Sequence, residues 1–195
     1  VGKLHITAQM QGSEDTAVFT QNSLRELINK SCDFEKIRAH RAKLFACAYD
    51  INERHVKYFE LKKLSDEEMT DAVLASAAIP HVYDPVEIEG HKFADGGIND
   101  PSYGVKNSDV TPLSPLQDEG YDAIIVIHLR EQETLDIDHI GSTQLIHIYP
   151  SKPLEQIKGS GTMNFTRSAI RERFAMGYAD MYIALGKLLM SIIKE

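Results

Sequence analysis

The sequence predicts an α/β fold, a three-layer α/β/α sandwich around a mainly parallel central sheet. Two observations lead there. Segments with apolar residues at helical spacing alternate along the chain with short apolar strands. The run Asp122 to Leu129 (D-A-I-I-V-I-H-L) is apolar almost without a break, which predicts an interior strand covered on both faces. The 195 residues suffice for a sizeable core. No repeat and no Gly-, Ser- or Pro-rich linker divides them, so residues 1–195 read as a single domain.

Each element has its own signal. Leu4, Ile6 and Ala8 alternate with polar neighbours, a weak strand, and Gln11 to Thr16 is a polar loop. Leu24, Leu27, Ile28 and Cys32 recur at helical spacing, with Asn22 or Ser23 as N-cap. Lys43 to Tyr49 and His55 to Leu61 read as two strands joined by the polar turn Asp50 to Glu53. Ser65-x-x-Glu68 forms a capping box, opening a helix that runs through Met69, Ala72, Val73 and Ser76 towards Pro80. Val86 to Asp95 holds two short strands around Gly90, and Gln144 to Tyr149 is another strand. From Ser168, the residues Ile170, Phe174, Tyr178, Met181, Leu185, Leu188 and Ile192 keep a helical period for about seven turns, in a helix expected on the outside of the sandwich.

Composition narrows the function. With 12 Gly, 7 Pro and 2 Cys, the chain is neither collagen-like nor of low complexity, and it has no disulfide framework. A net charge of −8, from 21 basic and 29 acidic residues, argues against a nucleic-acid partner. Cys32 and Cys47 lie outside any C-x-x-C pair and read as reduced thiols of a cytoplasmic protein, with Cys47 in the core. No apolar run reaches the ~18 residues of a membrane span, and the start has no signal-peptide pattern. Residues 151–195 carry +3, leaving −11 for the rest. Such a segment suits peripheral contact with anionic lipid headgroups, or else a helix packed on the domain with its charged face in water.

The segment richest in chemical information is Phe93-Ala94-Asp95-Gly96-Gly97. A carboxylate leaving a strand into two glycines can be held rigidly, because glycine accepts backbone angles closed to other residues and leaves room for close approach. Taken alone, the same five residues also suit an ordinary Asp-Gly hairpin turn.

Their surroundings are more specific. Ala75-Ser76-Ala77-Ala78-Ile79-Pro80, then Pro85-Val86-Glu87-Ile88-Glu89-Gly90, then Asp95-Gly96-Gly97 with Asn99 and Pro101, stand in this order with short gaps. The run resembles the patatin-like phospholipases, which carry A-S-x-A-x-P, P-V-x-x-x-G and D-G-G in that sequence. Weaker similarity extends from about Asn22 to Asp180.

The resemblance implies a lipid acyl ester hydrolase with a Ser–Asp dyad, acting on lipid or lysophospholipid esters without metal or cofactor. Asp95 would be its base, supported by Gly96 and Gly97. The chain departs from the family in one respect: no G-x-S-x-G, the elbow that presents the nucleophile, occurs in the 195 residues. The expectation is therefore a C-terminal portion of a patatin-like domain. The serine and the oxyanion loop would belong to an upstream segment, so this chain alone would be inactive. The alternative is a non-catalytic patatin-like domain that binds lipid or a protein partner.

Other candidates read as structural. Ser76 is a small residue on a helix ahead of a proline, and Gly159-Ser160-Gly161 lacks elbow spacing. His128 stands at the end of the best strand, where α/β folds place ligands, and is a second candidate base or a hydrogen-bonded structural histidine; His147 reads alike. Asp136-x-Asp138-His139 lacks a further ligand pair and reads as a solvated loop. No phosphate-cradling glycine motif occurs.

Overall fold

The computed structural model describes residues 20–100, 105–129, 137, 139–154 and 166–192. The expected strand at Leu4 to Ala8 and the loop at Gln11 to Thr16 lie outside these residues. The chain divides into two compact units, Val1–Pro115 and Leu116–Glu195.

In the first unit, α1 (Asn22–Ser31) and α2 (Phe34–Ala39) precede β1 (Phe45–Asp50), β2 (His55–Glu60), α3 (Asp66–Ser76), β3 (Val86–Ile88) and β4 (His91–Asp95). The four strands form one sheet in the order β2-β1-β4-β3, every pairing antiparallel. Short connections impose that direction on the β1–β2 and β3–β4 pairs, since parallel neighbours need a long crossover. Residues 51–54 join β1 to β2, and Glu89-Gly90 joins β3 to β4. Both turn residues of that second hairpin have positive φ, 52° and 82°, which matches the right-handed twist of the strands.

Helix α3 begins with the expected capping box. The Ser65 hydroxyl accepts from Glu68 N–H at 3.3 Å, and the Glu68 carboxylate accepts from Ser65 N–H at 2.7 Å. Asp66, Glu67 and Glu68 add negative charge at the positive end of the helix dipole. Its inner face meets the sheet through small side chains. Ala46, Ala48, Ala72 and Ala75 pack with Phe59 and Phe93, and the two rings meet edge-to-face at 5.3 Å. Helix α1 is tied to α3 by Arg25–Asp71 at 2.6 Å and by Thr70 Oγ1 donating to Asn29 at 2.8 Å. Neither Asn22 nor Ser23 caps α1. The N-cap is Gln21, whose amide instead donates to Leu74 O at 2.8 Å, so tertiary bonding replaces a local cap.

In the second unit, β5 (Ala123–Ile127) pairs in parallel with β7 (Thr143–Ile148), and the two-residue β6 (His139–Ile140) pairs antiparallel with β7. The order β5-β7-β6 puts β5 at an edge among the described residues, which corrects the expected interior strand. Its residues alternate. Ile124 and Val126 are buried, whereas Ile125 and Ile127 are 47% and 67% exposed. The β5–β7 pair is parallel, but the other described pairings are antiparallel, so the described sheets are not the mainly parallel sheet expected.

The last helix, α4 (Arg167–Ile192), packs against β7 with the length expected. Of the expected apolar row, Met181, Leu185 and Leu188 are half-buried, whereas Ile170, Phe174 and Tyr178 are exposed. Asp180 is buried and accepts from Ser151 N–H at 3.1 Å. Met176, Ala184 and Leu188 are half-buried on the same face, while Phe174, Tyr178 and Tyr182 are exposed. No helix of the described residues is long and apolar enough to cross a membrane.

Asp50 is the charged group on which the β1–β2 turn closes. It is 2% exposed. Its Oδ1 accepts from Asn52 N–H and Glu53 N–H, both at 2.9 Å, and its Oδ2 lies 2.8 Å from His91 Nδ1. Burial alone would raise its proton affinity. The hydrogen bonds from Glu53, His91 and Asn52 together outweigh burial and hold the carboxyl below its ordinary 3.8. A depressed carboxyl stabilises the fold fully above its unfolded value and loses that contribution as pH falls through the folded one. The unfolding free-energy gap between the wild type and Asp50→Asn should therefore shrink between pH 6 and pH 3 in urea titrations. A constant gap would rule this out.

Candidate active site

Asp95 ends β4, and the sheet decides where it stands. It sits opposite Ala48 of the central strand β1, in the register Asp50↔Phe93, Tyr49↔Ala94, Ala48↔Asp95. Its backbone N–H donates to Ala78 O at 3.0 Å. Ala78 belongs to the loop that follows α3, the A-S-x-A-x-P stretch, and β3 supplies the P-V-x-x-x-G stretch as the hairpin partner of β4. The three sequence motifs thus meet along β4, the strand whose end carries the carboxylate. Beyond Asp95 the chain does not fold back as a hairpin partner, because β4 is already flanked by β1 and β3. The ordinary hairpin reading of Asp95-Gly96 is therefore set aside.

Gly96 is needed for close approach and not for its backbone angles. Neither Gly96 nor Gly97 has positive φ. Gly96 is required because it passes against the backbone of β1. A Cβ there would lie 2.6 Å from the Cys47 carbonyl carbon and 2.5 Å from its sulfur, with the Cys47 carbonyl oxygen closer still. A Cβ on Gly97 would lie 3.2 Å from Asp95 Oδ1, the atom to which Gly97 N–H donates at 2.8 Å.

Around this turn runs a polar network. Asn107 Nδ2 donates to Gly96 O at 2.7 Å, and Asn107 Oδ1 accepts from Asp109 N–H at 2.8 Å. The Asp109 carboxylate accepts in turn from the Tyr58 and Ser114 hydroxyls. Tyr58 is cross-strand partner to Cys47, which closes the ring back onto Gly96.

The sequence model of the patatin-like phospholipase family matches residues 5–102, half of the chain. The chain belongs to that family. No curated protein matches it. The match includes Asp95, and the family is one of lipid acyl hydrolases.

Within this patatin-like unit, electrostatics separates the titratable groups. Burial raises the proton affinity of Asp95, and the Gly97 N–H bond opposes that rise. Cys47, half-buried rather than in the core, is pushed up to about 11, chiefly by burial and further by the charges of Asp109 and Asp95. It is a neutral thiol at physiological pH and not a nucleophile. Tyr58 is also pushed well above its ordinary value, first by burial and then by its bond to Asp109.

The remaining candidates fall elsewhere. Ser76 is the last residue of α3, at a helix end and not at a strand-to-helix elbow. Ser160, Asp136 and Asp138 lie outside the described residues, and among the described ones no cluster of His, Cys, Asp or Glu could hold a metal. His128 and His147 belong to the second unit. His128 is 4% exposed, its Nε2 is 2.8 Å from His147 Nδ1, and its ring stacks on Tyr149 at 4.3 Å. His147 Nε2 faces Ile137 O at 2.9 Å. That carbonyl can only accept, so in the neutral pair His147 donates to it and accepts from His128 Nε2–H. Sequence reasoning missed Asn107 and Tyr58, which no motif marks.

Two of the atoms facing Gly96 are backbone of a central strand and cannot move aside. Gly96→Val and Gly96→Ala should each destabilise the protein by about 1–3 kcal/mol or more in urea unfolding. Gly177→Ala, on α4 with nothing within 4 Å of its new Cβ, should not. Wild-type stability in Gly96→Ala would sink the packing account.

Proposed function

We propose that the intact protein hydrolyses carboxylic ester bonds of lipids or lysophospholipids through a Ser–Asp dyad. Asp95 is its base, and its nucleophilic serine lies in an upstream segment. The observation that carries this reading is the Asp95 carboxylate itself. It is half-buried at a strand end, raised in proton affinity, and held by the backbone N–H of Gly97. A carboxylate so placed is a stronger base than one in water.

The serine hydroxyl attacks the ester carbonyl and passes its proton to Asp95, while amides of the upstream Gly-rich loop stabilise the oxyanion. Collapse of the tetrahedral intermediate expels the alcohol, which takes the proton from Asp95. Water then attacks the acyl-enzyme, again giving a proton to Asp95, and the released serine recovers it. The reaction needs no metal or cofactor. In the complete protein, this chain forms the C-terminal part of one three-layer α/β/α domain, working in the cytoplasm at the periphery of lipid surfaces.

A second reading, a non-catalytic domain that binds lipid or a protein partner, is favoured by one observation, the lack of G-x-S-x-G in these residues. Two measurements test the first reading, and the second of them separates it from the other. Residues 1–195 alone should neither hydrolyse p-nitrophenyl esters nor react with a fluorophosphonate probe, and stoichiometric labelling of any serine here would disprove an upstream nucleophile. In the protein carrying its upstream segment, Asp95→Asn should lower ester hydrolysis by ~10²–10⁴ with the fold intact. Asp84→Asn should keep most activity. Near-full turnover in Asp95→Asn would end the dyad mechanism.

A further inference from the structure

The peptide joining Gly96 to Gly97 carries two hydrogen bonds, one on its C=O and one on its N–H, which point in opposite directions. Its carbonyl accepts from Asn107 Nδ2 at 2.7 Å, and its N–H donates to Asp95 Oδ1 at 2.8 Å. A peptide is planar and rigid, so fixing the direction of its C=O fixes the direction of its N–H. Asn107 is itself immobilised. It is 6% exposed, its Oδ1 accepts from Asp109 N–H at 2.8 Å, and its own N–H donates to Asn99 Oδ1 at 3.3 Å.

We propose that Asn107 is a positioning residue for Asp95, holding the Gly96–Gly97 peptide so that its N–H aims at the carboxylate. Its consequence for rate rests on the reading of Asp95 as base; its consequence for Asp95 itself does not. Without the Nδ2 donor, the Gly96 carbonyl is left as an unpaired acceptor, and the peptide is driven to rotate towards another partner. That rotation takes Gly97 N–H away from Asp95. The charged carboxylate then loses the hydrogen bond that opposes its burial. Titratable neighbours of this turn are Cys47 on β1, Tyr58 on β2 and Asp109 on the following loop, and Asp109 is itself bonded to Asn107 through its N–H.

The test is an NMR titration of the Asp95 side-chain carboxyl in the full chain, in the wild type, Asn107→Leu and Asn52→Ala. Asn52 serves as the control because it pins another turn of the same sheet, its Oδ1 accepting from Lys92 N–H at 2.7 Å. The Asp95 midpoint should rise by about half a pH unit or more in Asn107→Leu and stay unchanged in Asn52→Ala. In the protein carrying its upstream segment, the acid limb of kcat/KM should move up by the same amount, with KM unaltered. Should Asn107→Leu not fold, Asn107→Ser carries the test, since its short side chain cannot reach the Gly96 carbonyl. An unchanged midpoint in a folded Asn107 variant, or an equal rise in Asn52→Ala, overturns the proposal. Activity surviving in Asp95→Asn overturns the dyad instead and leaves the midpoint comparison standing.

Discussion

The contact on which the first unit depends is the passage of Gly96 over the backbone of Cys47. Strand β4 can run beside β1 and leave the sheet at Asp95 only if no side chain stands between the departing chain and β1. The same economy of volume extends across the sheet. Ala46 and Ala48 on β1, facing Ala72 and Ala75 on α3, let the helix settle close to the strands. That closeness brings the loop after α3 within reach of β4, where Ala78 O receives Asp95 N–H. Alanine and glycine here set the geometry of a carboxylate, although none of them touches substrate chemistry.

The electrostatics follow from that packing. Asp95 joins no ion pair among the described residues, and backbone N–H is what opposes its burial. A cation beside it would favour the ionised form, depress its proton affinity and weaken it as a base. Asp50 shows the contrary arrangement forty-five residues earlier in the same sheet. Two N–H donors and an imidazole there overcome complete burial, and the result is a turn-closing anion with no basic character to offer. A buried and a half-buried carboxylate of one sheet thus differ through the number and kind of their donors.

The second unit shows how far apolar composition can inform. Strand β5 is apolar on both faces, and α4 is apolar over most of its circumference, so neither says which side is covered. In the structure, β5 alternates between buried and exposed residues, and α4 turns Asp180 inward while Phe174, Tyr178 and Tyr182 face outward. The buried aspartate is explained by its bond to Ser151 N–H, a partner twenty-nine residues away that no periodicity reveals.

What the sequence by itself determined is what local physics dictates. The capping box at Ser65 and Glu68, the Glu89-Gly90 hairpin, the strands of the first sheet and the length of α4 all follow from spacing and turn chemistry within a few residues. The order of the three motifs was legible too, and with it the family. Only the tertiary structure decided the rest. Strand β5 became an edge among the described residues, antiparallel pairing prevailed in the first sheet, and Gly96 proved necessary for its proximity to Cys47 rather than for its backbone angles. Asn107 entered the site in the same way, through an amide that reaches a carbonyl eleven residues back. The physical reason is common to all of these. Pairing partners, close approaches and side-chain-to-backbone bonds join residues distant in sequence, and their energies depend on separations that exist only once the chain has packed.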